Sequence, residues 1–262
     1  MVDTIKANGA TIAYRLEGPE NGPVVMLSNS LASNFTMWDA QLPALTDKYR
    51  VLRYDQRGHG GSEATKPPYS FDLLLEDARA LIEALGLGKV HFCGLSMGGM
   101  TGQLFGARYP GMLRSLILCD TSSRMPDPAI WAPRIKAARG DGMASLAPST
   151  LERWFTAPYR SKAKREIERV GAMISATPVD GFVGCCNAIA AMDQTHLLAG
   201  IKTPTLIIVG ADDPSTTVEH SEVIHREIVG SKLVVLENAA HLSNIEQAAE
   251  FNAALRAFLD KH

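Results

Sequence analysis

The chain has 262 residues, 46% of them hydrophobic and 21% charged, with a formal net charge of −2. This suits one compact domain with room for an inserted subdomain. No basic block or aromatic-basic interleaving is present, and no apolar run approaches the roughly 20 residues that cross a bilayer, so neither nucleic acid nor a membrane is an expected partner. The first residues, MVDTIKANGATIAYRLEG, lack a basic start followed by an apolar core. No signal peptide is expected, and a cytoplasmic enzyme is the default.

In chain order, short apolar runs alternate with amphipathic stretches. Residues 24–28 and 49–54 read as strands. Residues 71–85 carry Leu74, Leu75, Ala78, Leu81, Ile82 and Leu85 at helical spacing, and Gly86 supplies a stop. A strand at 90–93 leads to a helix at 97–109, which ends before Pro110; another strand follows at 115–119. From about 121 to 199 no strand run is evident. That stretch holds Pro126, Pro128, Pro133, Pro148, Pro158 and Pro178, with Trp131, Trp154 and Tyr159. Its charged run SKAKREIERV reads as a solvated helix face. Strands at 205–209 and 232–236 and helices at 218–229 and 248–259 complete the chain. The alternation predicts an α/β fold: a mostly parallel sheet with helices on both faces. Residues 1–120 and 200–262 would form its core and 121–199 an inserted helical cap.

Cys93 and Cys119 end apolar runs and read as buried free thiols. Cys185 and Cys186 are adjacent, without a CxxC partner pair. Neither a disulfide frame nor a metal site is expected.

Chemistry concentrates in Gly94-Leu95-Ser96-Met97-Gly98, between a strand and a helix. A sharp turn there strains its central residue, and a side chain two positions to either side would clash; glycine removes the clash. The turn lifts the Ser96 hydroxyl above the sheet. It also aims the Met97 amide, at a helix N-terminus, at a developing oxyanion. This is the G-x-S-x-G nucleophile elbow. A neutral serine needs a base, and the base an orienting acid. His241, after the last strand, is the candidate base; His59 precedes the elbow, His91 lies within a strand, His220 and His225 are on a helix, and His196 is in the insert. Asp212 and Asp213 follow the preceding strand, and spacing from Gly210 favours Asp213. Asp120 is the reserve acid. The loop after the first long strand, Ser28-Asn29-Ser30-Leu31, should supply the second oxyanion donor: the Ser30 amide, with Leu31 as the frame-shifted alternative.

With these residues in hand the chain resembles the α/β-hydrolase family. Tyr54-Asp55-Gln56-Arg57-Gly58-His59-Gly60-Gly61-Ser62 matches its D-x-R-G-x-G-x-S turn, expected to be a loop closed by Asp and Arg hydrogen bonds. Within that family, LSNSLASNFTMWDAQL, FCGLSMGGMTGQ, IWAPRIKAAR, RWFTAPY and AHLSNIE are similar to the 3-oxoadipate enol-lactonases of the beta-ketoadipate pathway. The resemblance implies a small-molecule lactone or ester substrate carrying a carboxylate, and no metal or organic cofactor. Arg134 would grip the carboxylate, since a guanidinium binds one with two hydrogen bonds. Trp131 and Trp154 would wall the ring. A homodimer is compatible with the sequence, which does not fix subunit number. The rival expectations are a carboxylesterase of broader specificity, with Arg134 a bystander, and a slow-turnover ligand-sensing protein.

Overall fold

The computed structural model describes residues 2–125 and 127–262; Pro126 of the inserted stretch lies outside the described residues. The chain starts with a hairpin absent from the strand expectations. Strands β1 (Asp3–Ala7) and β2 (Ala10–Glu17) pair antiparallel across Asn8-Gly9. Both turn residues have positive φ, 47° and 74°. A two-residue hairpin of this hand requires that backbone, and Asn-Gly supplies it. There follow β3 (Val24–Ser28), the short α1 (Leu42–Leu45), β4 (Arg50–Tyr54), α2 (Phe71–Ala84), β5 (Val90–Leu95), α3 (Met97–Arg108) and β6 (Leu113–Cys119). Helices α4 (Trp131–Asp141), α5 (Ala147–Trp154), α6 (Ala157–Lys162), α7 (Lys164–Ser175) and α8 (Val179–Ala190) come next. The chain ends with β7 (Thr205–Gly210), α9 (Val218–Glu227), β8 (Lys232–Leu236), α10 (Ser243–Glu246) and α11 (Ala248–Leu259).

The eight strands form one sheet in the order β1-β2-β4-β3-β5-β6-β7-β8. Only β1–β2 and β2–β4 are antiparallel; β4 through β8 are parallel. Strands β3, β5 and β7 are buried along their whole length, which is why they read as continuous apolar runs rather than alternating ones. The order reverses between β3 and β5. From β3 the chain steps outward to β4, then crosses back to β5 on the other side. Loops leaving the carboxyl ends of β3 and β5 diverge there, and a crevice opens between them.

Helices α4–α8 all lie between β6 and β7. The two ends of this segment are zipped together: Arg124 and Asp193 form an antiparallel bridge, Gln194 N–H donates to the Ser123 carbonyl at 2.8 Å, and the Ser123 and Thr195 hydroxyls lie 2.9 Å apart. Helix α8 sits directly on the loop after β4. A Cβ on Gly181 would lie 1.9 Å from the Gly58 carbonyl oxygen, so the backbones touch. The D-x-R-G-x-G-x-S turn departs from expectation in one respect. Asp55 does close it, accepting from the Gly61 amide at 2.8 Å and the Phe35 amide at 2.7 Å. Arg57 instead leaves the turn for α2, where it grips buried Asp77 at 2.5 and 2.8 Å. All four cysteines are buried and free.

Candidate active site

Ser96 occupies the corner between β5 and α3 with φ 55° and ψ −115°, a conformation that side chains rarely adopt. Surrounding bonds impose it. Ser96 N–H donates to Cys119 O at 2.9 Å, and the Thr121 hydroxyl donates to Ser96 O at 2.8 Å. A Cβ on Gly94 would lie 2.1 Å from Gly98 O, and one on Gly98 2.2 Å from Ser28 O. Both flanking glycines are therefore sterically required, as the pentapeptide suggests.

His241, in the loop after β8, is buried and lies 2.7 Å through Nδ1 from Asp213 Oδ2. With Nδ1 as donor to the carboxylate, Nε2 is left as the acceptor. Asp213 also accepts from the Ser215 amide at 2.7 Å and the Thr216 hydroxyl at 2.7 Å. Burial opposes its charge, but the imidazole, the hydroxyl and the amide outweigh burial and hold the carboxyl below its usual range. Asp212 is exposed. Asp120 makes no hydrogen bond to His241 among the described residues. It accepts instead from Gly210 N–H at 2.8 Å and from the Ser243 hydroxyl at 2.5 Å, tying β6 to β7 and α10. Burial, then the charge of Asp213, raises its carboxyl well above the usual range.

The loop after β3 corrects one expectation. Ser30 N–H points to the buried Met37 sulfur, 3.4 Å away, and is not the free donor. Ala32 N–H donates to His59 Nε2 at 3.0 Å. Between them, Leu31 N–H has no acceptor among the described residues, and neither does Met97 N–H at the start of α3. The frame-shifted alternative is thus the free amide. His59, outside the expected chain order for a base, props this loop. Burial lowers its pKa to about 4, so it is a neutral acceptor at physiological pH.

Ser96, His241 and Leu31 line one cavity of about 240 Å³, below the usual range for drug-sized ligands and suited to a small metabolite. The inserted helices form its other wall. Trp131 and Trp154 are buried there, and the Trp154 ring centroid lies 6.3 Å from that of His241. The Arg134 guanidinium sits 4.8 Å from the Trp131 ring centroid, the shared face that their three-residue spacing predicts. A second arginine lines the cavity and was missed: Arg153, beside Trp154 in the RWFTAPY stretch. Among the described residues its side chain donates only to the Thr150 hydroxyl, at 3.1 Å. Neither arginine makes a salt bridge among the described residues. Burial lowers both guanidinium pKa values; that of Arg153 falls to about 10, with repulsion from Arg134 contributing. Both remain cations at neutral pH.

The unplaced residues fall elsewhere. His196 lines a separate open groove with Glu219 and His220. Cys185 and Cys186 are buried on α8, and burial pushes the Cys186 thiol up to about 12, which leaves it unreactive.

An elbow serine after β5, an acid after β7 and a histidine after β8 occur here on one mostly parallel sheet. A family model described as alpha/beta hydrolase fold matches residues 23–248, and the chain belongs to that family. It is a hydrolase. Among curated proteins it is 35% identical over 259 residues to 3-oxoadipate enol-lactonase 2 of Acinetobacter baylyi, spanning 99% of this chain and 97% of that one. Among solved structures, the enol-lactonase from Burkholderia xenovorans LB400 matches with a TM-score of 0.97 at 38% identity, over 98% of this chain and 100% of that one. A thermophilic esterase from Thermogutta terrifontis, malate bound, matches with a TM-score of 0.93 at 30% identity, over 100% of this chain and 98% of that one. No single helix among the described residues is long and apolar enough to cross a membrane.

Proposed function

We propose that this chain is a serine hydrolase that opens 3-oxoadipate enol-lactone to 3-oxoadipate in the catabolism of aromatic compounds, with 121–199 as a cap over the site. One observation carries the substrate assignment beyond the resemblance: two guanidiniums with no acid partner among the described residues share the cavity of Ser96. Neighbouring half-buried cations repel and lose hydration, so the cavity is matched to an anionic guest. The enol-lactone bears a carboxylate on its side arm.

Arg134 and Arg153 hold that carboxylate, and Trp131 and Trp154 wall the ring. Ser96 Oγ attacks the lactone carbonyl while His241 Nε2 takes its proton. Asp213 fixes the imidazole tautomer and balances its charge. The Leu31 and Met97 amides receive the oxyanion; losing one such donor typically costs roughly 10²–10³ in turnover. Collapse of the tetrahedral species breaks the ring C–O bond and expels an enolate. The His241 imidazolium gives its proton to that enolate, and the resulting enol tautomerises to the ketone, which leaves His241 neutral again. Water, deprotonated by His241, then releases the acyl group from Ser96 as a second carboxylate.

The similarity to an esterase favours one second reading, a carboxylesterase with wider ester specificity. Loss of ultraviolet absorbance on adding 3-oxoadipate enol-lactone decides between them, with Ser96→Ala as blank. Fast Ser96-dependent decay supports the lactonase. No decay, with brisk hydrolysis of p-nitrophenyl acetate, overturns the substrate and leaves the esterase.

A further inference from the structure

Glu246 ends α10, five residues after His241, and is nearly buried at 8% exposed. Its carboxylate collects three donors from two distant parts of the chain. Oε2 accepts from Ala240 N–H at 3.0 Å. Oε1 accepts from Thr156 N–H at 3.1 Å and from the Thr156 hydroxyl. Ala240 immediately precedes His241. Thr156 caps the N-terminus of α6 and lies two residues after Trp154. A second strap runs alongside: Leu242 N–H donates to Trp154 O at 3.1 Å. The residues on both sides of His241 are therefore bound to the same turn of the inserted helices.

We infer that Glu246 is a positioning residue through which the inserted helices orient the His241 imidazole. The inference rests on His241 being the base, as proposed above. A carboxylate suits the task chemically. Three N–H and O–H donors converge on it, and an ionised carboxylate is all acceptor. A glutamine would turn its own N–H₂ toward one of those donors. Through this carboxylate, the wall that carries Arg153 and Trp154 and the loop that carries the base behave as one body. Substrate captured on one side thereby meets an imidazole already in register with it.

The test is a double-mutant cycle on p-nitrophenyl acetate, which needs no anion recognition. Glu246→Gln, Thr156→Val and the double variant are compared with the wild-type enzyme, with circular dichroism and thermal midpoints as folding controls. Thr156 touches no reacting atom, and its hydroxyl can be removed while its amide stays. Each single substitution should lower kcat about five- to tenfold with KM unchanged. The double variant should be no slower than Glu246→Gln alone, because both remove one shared contact. A Thr156→Val enzyme with wild-type kcat overturns the inference, as do losses that multiply in the double variant. His241→Ala run in parallel separates the two readings. If it retains full turnover, the base assignment fails and this inference with it. If it abolishes turnover, the cycle decides Glu246 by itself. Whether wild-type enzyme prefers the anionic mono-p-nitrophenyl glutarate tests the arginines independently of the cycle.

Discussion

On the sheet side of the cavity, the groups are set by main chain. Ser96 is held at φ 55° by glycines that nothing larger can replace, and the Leu31 and Met97 amides project from strand ends. Across the cavity, Arg134 and Arg153 are held by a Trp131 ring and a Thr150 hydroxyl, contacts made by side chains on helices. The first wall is backbone geometry, expensive to alter and common to many chemistries. The second is side-chain chemistry, cheap to alter, and it is where a substrate is chosen. A change in the sheet wall should therefore affect every ester alike, and a change in the helical wall should separate one ester from another.

The strongest challenge to this division is Ser96→Ala. It should cost on the order of 10⁴–10⁶ in kcat on enol-lactone and p-nitrophenyl acetate equally; steady-state assays of both substrates would show any residual, substrate-specific route. Next comes His59→Leu, which removes the prop under the Leu31 amide. We expect kcat to fall by roughly 10² on both substrates with KM unmoved, and His59→Gln, which keeps an acceptor, to restore most of it.

The same pair of proteins predicts a pH effect. Folded His59 titrates at about 4, whereas an exposed histidine titrates at about 6.5. As pH falls the unfolded chain takes up this proton first, so stability is fully present above about 6.5 and drains away toward 4. Relative to His59→Gln, wild-type protein should lose up to about 3 kcal/mol over that window, measured by urea unfolding at several pH values. Asp55, raised to about 6 by burial, works in the opposite sense in both proteins and drops out of the difference.

Arg134→Ala and Arg153→Ala probe the other wall. A hydrogen bond to a charged group contributes about 1.5–3 kcal/mol, so kcat/KM on the enol-lactone should drop roughly 10- to 100-fold for each. Turnover of p-nitrophenyl acetate should stay within about threefold. Equal losses on both substrates would erase the distinction between the walls. The smallest effect belongs to Asp120→Asn. Asparagine keeps the acceptor for Gly210, and the Ser243 hydroxyl can rotate to accept from the new amide. Activity within about threefold of wild type is expected, and a larger loss would return Asp120 to the catalytic machinery.

Legibility in the sequence followed the same division. The six expected strands and four expected helices of the sheet region lie within two residues of their observed ends, because fully buried parallel strands announce themselves as apolar runs. The N-terminal hairpin escaped because β1 is largely exposed, β2 is only partly buried, and both are mixed in polarity; their sharp signal was Asn8-Gly9. The spacing after Gly210 picked out Asp213, the aspartate of the pair that contacts His241, while Asp212 is exposed. Spacing chose the Ser30 amide, but which amide of this loop is left without an acceptor depends on which one the Met37 sulfur takes, and no local pattern records that. Arg153 and Glu246 were invisible for a related reason. Glu246 meets Thr156, 90 residues away, and Arg153 enters a cavity whose serine and histidine lie 57 and 88 residues from it.

The bridge between Arg124 and Asp193 joins positions about 70 residues apart. In a free chain, closing a loop costs entropy that rises only logarithmically, about 0.6 kcal/mol per doubling of length. Here strands β6 and β7 are paired, so the sheet itself holds both ends of the excursion together. What lies between 123 and 194 can then change in length at little loop-closure cost, provided it keeps the Trp154 and Thr156 straps to the loop of His241. The segment is in effect a cassette with a fixed clip, and grafting different helices that keep the Trp154–Thr156 turn would re-address the same serine to a different ester.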